Sequence, residues 1–222
     1  MTHLDHSFFL NITSSSFTGI LVYVDDLILA GKTLDEINRM KQLLNCKFNI
    51  KDLGGLKFFL GMEVARSSKG ILLYQRKYTL ELLQHVGMLA SKPCSKPMDY
   101  SGKLIHSQTG HYLANPSSYR RLIGKLFYLT HTRPDISFEV GHLSQFLSKP
   151  IYQHYSIAIR ILKYLKGSPS TGIFFYVHNS HKLKAYSDVY WGGHVLTPEN
   201  QYQTIVSSLG LILSPGKVKG NK

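Results

Sequence analysis

The chain has 222 residues, of which 43% are hydrophobic, so it is long enough for the core of one or two domains, and a wholly disordered tail is excluded. Lysine and arginine number 26 against 13 aspartates and glutamates, a formal net charge of +13, which favours a polyanionic partner, nucleic acid ahead of an anionic membrane. Cys46 and Cys94 fit no zinc or redox spacing, and no signal peptide or bilayer-spanning apolar run of about 20 residues is recognised, so we expect an intracellular protein with no membrane partner.

The first predicted element is a hairpin. Residues 17–23 and 27–30 are rich in β-branched, aromatic and aliphatic side chains, and Asp25 and Asp26 fall between these two runs. A helix should follow, because Thr33 and Glu36 form a capping-box pattern ahead of apolar residues at helical spacing. The sequence therefore predicts a carboxylate pair at the tip of a hairpin, backed by a helix.

The next elements are a second hairpin and a short helix. The runs "KFFLGMEVA" and "GILLYQ" are typical of strands and are joined by the turn signal "RSSKG". A helix is predicted over residues 77–88, ending near Gly87. Residues 91–116 contain three prolines and no sustained period, which indicates a linker or long loop.

The remaining chain is predicted to be helical and then extended. Helices are expected over residues 117–130, 134–147 and 152–166, with Pro134 in a first turn and Gly167 as a stop. Strands are expected in "GIFFYV" and "LKAYSDVYW". Beyond Gly193 the pattern is weak and predicts no element.

Two adjacent carboxylates on a rigid hairpin suit a hard divalent cation. Mg²⁺ prefers oxygen ligands and binds substrate phosphates together with carboxylates, and a turn allows both aspartates to reach one site. The alternative is a solvated hairpin tip that happens to carry Asp25 and Asp26, and the residues alone leave both interpretations open.

The cationic residues have a similar pair of interpretations. Arg160, Lys163 and Lys166 recur every third residue on one predicted helix, which suits either a track of phosphates or an ordinary solvated face. Arg120, Arg121 and Lys125 form a second cluster of the same kind. The histidine pairs in "HLDH" and "HNSH" lack a third ligand nearby in sequence, so solvated loops are favoured over metal sites there.

Four motifs, in order, resemble the reverse transcriptases of copia-type retrotransposons. They are "YVDD" within "ILVYVDDLILAG", "KDLGGLKFFLGMEV", "YRRLIGKLFYLTHTRPDISFEVGHLSQFLSKP", and "ILKYLKGSPSTGI" with "LKAYSDVYWGG". The resemblance implies an α+β fold with a partial polymerase palm, made of antiparallel strands with helices, a helical connecting segment and the start of a ribonuclease H-like α/β domain. The implied boundaries are 1–90 for the palm with its two hairpins, 91–116 for the linker, 117–168 for the thumb-like or connection-like helices and 169–222 for a truncated, degenerate ribonuclease H-like start.

The resemblance also implies roles for individual residues. Asp25 and Asp26 match the palm pair that holds Mg²⁺ during nucleotide transfer to a primer on its template, and Tyr23 lies beside the primer end. Phe59, Leu60, Gly61 and Met62 match the hairpin that holds the primer strand. Asp188 matches the first metal-binding aspartate of ribonuclease H.

The sequence departs from the family pattern at both ends. The family's other palm aspartate lies on an earlier strand, whereas 24 residues precede Asp25 here and their one acid is Asp5. After Asp188 the one remaining acid is Glu199. We therefore expect a fragment with little nucleotide transfer of its own, whose partner is the missing half of the polymerase, or alternatively a non-enzymatic nucleic-acid-binding remnant of a retroelement. Loss of the earlier strand should also leave an unpaired apolar edge.

Overall fold

A computed structural model describes residues 7–14, 16–98 and 110–177, and the backbone of residues 183–188 and 204–209. The chain divides into two units, Met1–Leu56 and Lys57–Lys222. Each unit combines antiparallel strands with at least one helix, so the predicted α+β class is confirmed at that level. None of the described helices is long and apolar enough to cross a membrane.

The first unit is a three-stranded antiparallel sheet with one helix. The strands lie in the order β1-β2-β3 and the helix α1 follows them. Their bounds are β1 Phe8–Ile12, β2 Phe17–Tyr23, β3 Asp26–Gly31 and α1 Leu34–Phe48. The predicted hairpin and helix are therefore present, and an additional strand, β1, pairs with the free side of β2.

Helix α1 lies on one face of this sheet. Ile37 Cγ1 comes within 3.2 Å of the position a Cβ would take at Gly31, which pairs with Thr18 across the sheet. The Glu36 carboxylate accepts hydrogen bonds from the Ser16 and Thr18 hydroxyls, and the Ser16 bond in particular lowers the pKa of Glu36. The predicted capping box is wrong, because Thr33 makes no side-chain capping bond. The Glu36 carboxylate binds the Ser16 and Thr18 hydroxyls instead.

The opposite face of the sheet is apolar and open. Phe8, Leu10 and Ile12 pair with Leu21, Gly19 and Phe17, and side chains at paired positions share a face. Exposure on this face reaches 70% at Ile12. No residue of α1 is buried, and every buried apolar side chain in the described part of the chain belongs to the second unit. The first unit therefore has little core of its own.

The second unit contains a four-stranded antiparallel sheet in the order β4-β5-β6-β7. Its strands are β4 Phe58–Phe59, β5 Met62–Ser67, β6 Gly70–Tyr74 and β7 Gly172–Tyr176. The run "KFFLGMEVA" is thus not one strand. It turns at Leu60 and Gly61, which both have positive φ, so that Phe59 pairs with Met62.

Four α-helices and one short 3₁₀ helix form the core of the second unit. They are α2 Arg76–His85, α3 Pro116–Thr130, the 3₁₀ helix Pro134–Ile136, α4 Ser137–Ser144 and α5 Tyr152–Gly167. The fully buried side chains include Leu83, Leu126, Leu143 and Leu162. Residues at helical spacing on α3 and α5 supply most of this core, as the sequence period predicts.

A buried arginine connects the start of the 3₁₀ helix to the end of α5. Arg133 is 2% exposed, donates to both oxygens of Asp135 at 2.9 and 2.8 Å, and donates to the Ser168 carbonyl oxygen at 2.9 Å. Burial alone would raise the pKa of Asp135, but the bonds and charge of Arg133 and a 2.8 Å bond from the Tyr164 hydroxyl outweigh it and lower that pKa. The "RPD" motif is therefore a helix start, as predicted, and also a structural ion pair.

A final antiparallel pair is described by its backbone. Strands β8 Leu183–Asp188 and β9 Thr204–Leu209 pair with each other, Asp188 opposite Thr204. Strand β9 was not anticipated from the sequence. Strand β7 pairs with β6 from Gly70 opposite Tyr176 to Tyr74 opposite Gly172, so that part of the predicted 169–222 segment belongs to the sheet of the second unit.

Candidate active site and nucleic-acid contacts

The aspartate pair lies at a two-residue turn. Tyr23 pairs with Asp26 as the last rung of β2 and β3, and Val24 and Asp25 form the turn between them. Val24 has a φ of 50°, a conformation that a β-branched side chain rarely adopts and that costs about 1–2 kcal/mol. Strain of this kind is common where a chain must hold a functional group in one position.

Register fixes where the site side chains lie. Tyr23 and Asp26 share the open apolar face of the sheet, since they are paired and in step with Leu21 and Ile28. Asp25 precedes Asp26 in the turn, outside the strand alternation. Both aspartates are exposed, and neither takes part in an ion pair with the described residues.

The aspartate pair is chemically suited to a hard cation but is only part of a site. Carboxylate oxygens are preferred ligands of Mg²⁺, which also keeps waters and binds substrate phosphates. Among the residues that the structure describes, no group of three or more histidine, cysteine, aspartate or glutamate side chains gathers to hold a metal. Asp25 and Asp26 therefore supply two carboxylates that remain available to a cation.

The residues that resemble a primer-holding hairpin form a tight turn in the second unit. Leu60 and Gly61, with φ of 48° and 73°, connect Phe59 to Met62. The Tyr128 hydroxyl of α3 donates to the Leu60 carbonyl oxygen. A Cβ at Gly61 would overlap that hydroxyl and lie 3.2 Å from Tyr128 Cζ. The side chain that closely approaches Gly61 is thus Tyr128.

Tyr128 is itself held in place by aromatic neighbours. Its ring meets Tyr78 of α2 edge to face with centroids 4.9 Å apart, and it meets His131 at 6.1 Å. Sequence reasoning missed this residue. The positive-φ turn at "LG" was a detectable signal, but nothing in the sequence indicates that Tyr128, 68 residues from Leu60, packs on it.

The predicted basic track on α5 divides into two groups. Arg160 and Lys163 line a cleft together with Lys92. Lys166 instead donates to the Ser91 carbonyl oxygen. In the other cluster Arg120 Nε donates to the Leu147 carbonyl oxygen at 2.8 Å, so it too is partly engaged within the fold.

Some predicted residues fall at the limits of the description. Asp188 is the last residue of strand β8, and the structure describes its backbone. Asp5 and both histidine pairs lie outside the described residues.

Comparisons with known proteins agree with the motifs. A family described as "Reverse transcriptase (RNA-dependent DNA polymerase)" matches residues 2–100. The chain is 41% identical over 189 residues to a Retrovirus-related Pol polyprotein from transposon RE1 of Arabidopsis thaliana, a match that covers 85% of this chain and 13% of the polyprotein. It therefore spans a small part of that relative's length.

Two shorter relatives are covered more fully. The chain is 30% identical over 220 residues to a putative transposon Ty5-1 protein of Saccharomyces cerevisiae, covering 97% of this chain and 71% of that protein. It is 34% identical over 174 residues to an uncharacterized mitochondrial protein of Arabidopsis thaliana, covering 78% of this chain and 72% of that protein. No solved structure matches the chain.

Proposed function

Because this chain belongs to the reverse transcriptase family of copia-type retrotransposons, we propose that its first unit supplies two metal-holding carboxylates of an RNA-directed DNA polymerase site. The substrate would be a primer-template of RNA and DNA. The observation that carries this proposal is the exposed Asp25 and Asp26 pair at a strained two-residue turn, with no described cation paired to it.

The residues fit Mg²⁺ by donor chemistry. Asp25 and Asp26 would hold the ion from one side, leaving positions for water and for phosphate oxygens of the substrate. When bound, such ions activate the primer hydroxyl and stabilise charge on the phosphates. The protein's part is to keep both carboxylates on one rigid turn, and Val24 in its left-handed conformation supports this role.

The remaining predicted roles belong to the same proposal. Tyr23, on the same face as Asp26, would support the primer end. Phe59, Leu60, Gly61 and Met62 would hold the primer strand, and Tyr128 would position their turn through its bond to Leu60. We also propose that Asp188 is the first metal-binding aspartate of a ribonuclease H-like part that begins after β7. An intracellular location accords with the free thiols of Cys46 and Cys94.

Activity in this proposal requires a further palm segment that carries a metal-ligating aspartate. The family resemblance puts another palm aspartate on an earlier strand, and in the described part of this chain no third ligand gathers beside Asp25 and Asp26. The chain would therefore transfer nucleotides only together with a segment that carries that aspartate. The same observation favours the second candidate, a non-enzymatic nucleic-acid-binding protein.

Primer extension distinguishes the two candidates. The chain is assayed with Mg²⁺, a primer-template and deoxynucleotides, alone and mixed with the upstream half of a copia-type polymerase domain. We expect extension in the mixture and none from either part alone. Asp25→Asn and Asp26→Asn should each abolish it, because each removes a carboxylate ligand.

A matched control removes a carboxylate of the same unit elsewhere. Asp35 lies in the first turn of α1, and Asp35→Asn should leave extension in the mixture intact. Binding of primer-template without extension in any mixture would support the non-enzymatic candidate. Equal extension by wild type and Asp25→Asn would contradict the proposed role of the pair.

A further inference from the structure

The second unit contains a cationic cleft remote in sequence from the aspartate pair. It lies between helix α5 and residues 92–94, with a volume of about 340 Å³. Lys92, Arg160 and Lys163 supply its charge, Ser156 a hydroxyl, and Ile157 and Ile159 apolar wall. Three positive groups and a neutral donor around one small space indicate an anion site.

The fold holds the two sides of the cleft together. Cys94 N–H donates to the Lys163 carbonyl oxygen at 3.3 Å, and the Cys94 thiol donates to the Arg160 carbonyl oxygen at 3.4 Å. Lys166 donates to the Ser91 carbonyl oxygen. Because α5 is anchored by five buried residues, the backbone that carries Arg160 and Lys163 is positioned before any ligand arrives, which lowers the entropy cost of binding.

The charges of the cleft are not satisfied within the described part of the chain. None of the three described ion pairs involves Lys92, Arg160 or Lys163. Arg160 Nε is buried and has no hydrogen-bond partner among the described residues. A buried donor without a partner costs about 1–3 kcal/mol. An anion in the cleft would reduce the mutual repulsion of the cations.

We propose that this cleft binds a backbone phosphate of nucleic acid. A guanidinium presents donors in a planar fork that matches phosphate oxygens, and the two ammonium groups add point charge. A net charge of +13 on the chain favours a polymeric anion over a single small one. The inference shares its ligand class with the proposed function but rests on different residues.

The first test measures binding of an RNA–DNA hybrid at several salt concentrations. Lys92→Gln with Lys163→Gln should weaken binding roughly tenfold and should lower the slope of log Kd against log salt concentration by about one unit. The control pair, Lys69→Gln with Lys149→Gln, removes the same charge from exposed positions of the same unit. An equal loss in both pairs would overturn the cleft as a specific site.

The second test localises the ligand through Cys94. In a Cys46→Ser background Cys94 is the single thiol of the chain, and it lines the cleft. The rate of Cys94 alkylation should fall as hybrid is added and should reach its minimum at the concentration that saturates binding. This protection should be absent from the Lys92→Gln, Lys163→Gln variant. Unchanged alkylation at saturation would overturn the proposal, as would protection by inorganic phosphate at the same concentration of phosphate groups.

Two further measurements separate this outcome from others. Helical circular dichroism and thermal melting establish whether each variant is folded. If the Lys92→Gln, Lys163→Gln double variant is not folded, Lys92→Gln alone replaces it, because Lys92 is exposed. The Asp25→Asn chain should retain both cleft readouts. If the wild-type mixture failed to extend a primer while the cleft readouts were intact, that result would count against the role of the aspartate pair alone.

Discussion

Gly61 and Gly87 have nearly the same positive φ but different surroundings. Their φ values are 73° and 71°, so an alanine at either position meets the same left-handed strain of about 1–2 kcal/mol. At Gly61 a Cβ would also overlap the Tyr128 hydroxyl, whereas nothing lies within 4 Å at Gly87. We expect Gly61→Ala to destabilise the second unit by about 1–3 kcal/mol more than Gly87→Ala, measured by urea unfolding.

Tyr128 provides the check on that difference. In a Tyr128→Phe background the overlapping oxygen is gone, so the extra cost of Gly61→Ala over Gly87→Ala should shrink. A difference that stays the same in the Tyr128→Phe background would show that Tyr128 does not pack on the turn as described.

The Arg133 and Asp135 pair makes a pH-dependent contribution to stability. Asp135→Asn leaves the 2% exposed guanidinium of Arg133 without its charged partner. Breaking a fully buried pair costs about 3–5 kcal/mol. Because the Asp135 side chain is 36% exposed, we expect a smaller loss, about 2 kcal/mol at pH 7.

The sign of the pH effect follows from the lowered pKa of Asp135. A carboxyl whose pKa is lower in the folded state stabilises the fold above its unfolded pKa of about 3.9 and loses that contribution as pH falls through the folded pKa. The gap between wild type and Asp135→Asn should therefore narrow below about pH 4. Urea unfolding of both proteins from pH 7 to pH 3 measures this difference in the free energy of unfolding. A difference that widens on acidification would contradict the lowered pKa of Asp135.

At the scale of elements, helices α1 and α5 differ in how many of their residues are buried. Helix α1 has no buried residue, whereas α5 buries His154, Ala158, Ile161, Leu162 and Leu165. Opening of a helix is opposed mainly by its buried contacts. We expect amides of α1 to exchange with deuterium much faster than those of α5, as followed by mass spectrometry. Equal protection would mean that the first unit has a core that its exposed residues do not indicate.

The regular elements were predictable because periodicity reports burial. The helical spacing along α3 and α5 places the right residues on buried faces, and the apolar runs around "YVDD" coincide with the paired strands β2 and β3. The break at Leu60 and Gly61 was overlooked because the surrounding "KFFLGMEVA" has a continuous β propensity. Strand β9 had no such signal.

The geometry of the candidate site was predictable only where neighbours in sequence are neighbours in space. Asp25 and Asp26 are adjacent, so their turn was recognisable. Tyr128 on Leu60 and Lys92 beside Arg160 are contacts between distant segments, which no local pattern encodes. The burial of Arg133 also runs against the usual exposure of arginine.

At the scale of the whole molecule, the charge of +13 makes two partners possible in principle. Nucleic acid and an anionic membrane surface both attract cations. We expect an RNA–DNA hybrid to bind with a steep salt dependence and to displace the chain from vesicles containing phosphatidylserine. Binding to the hybrid that is insensitive to salt, or vesicles that displace the hybrid, would contradict the nucleic-acid assignment.

The central claim, which we propose, is that Asp25 and Asp26 hold Mg²⁺ when an upstream palm segment and primer-template are present. Replacing Mg²⁺ with Fe²⁺ and adding peroxide cleaves polypeptide close to the bound ion, without requiring turnover. We expect cleavage at the Tyr23 to Asp26 turn in the complete mixture, and its loss in the Asp25→Asn, Asp26→Asn double variant. Cleavage that is absent from this turn, or that persists there in the double variant, would contradict the claim.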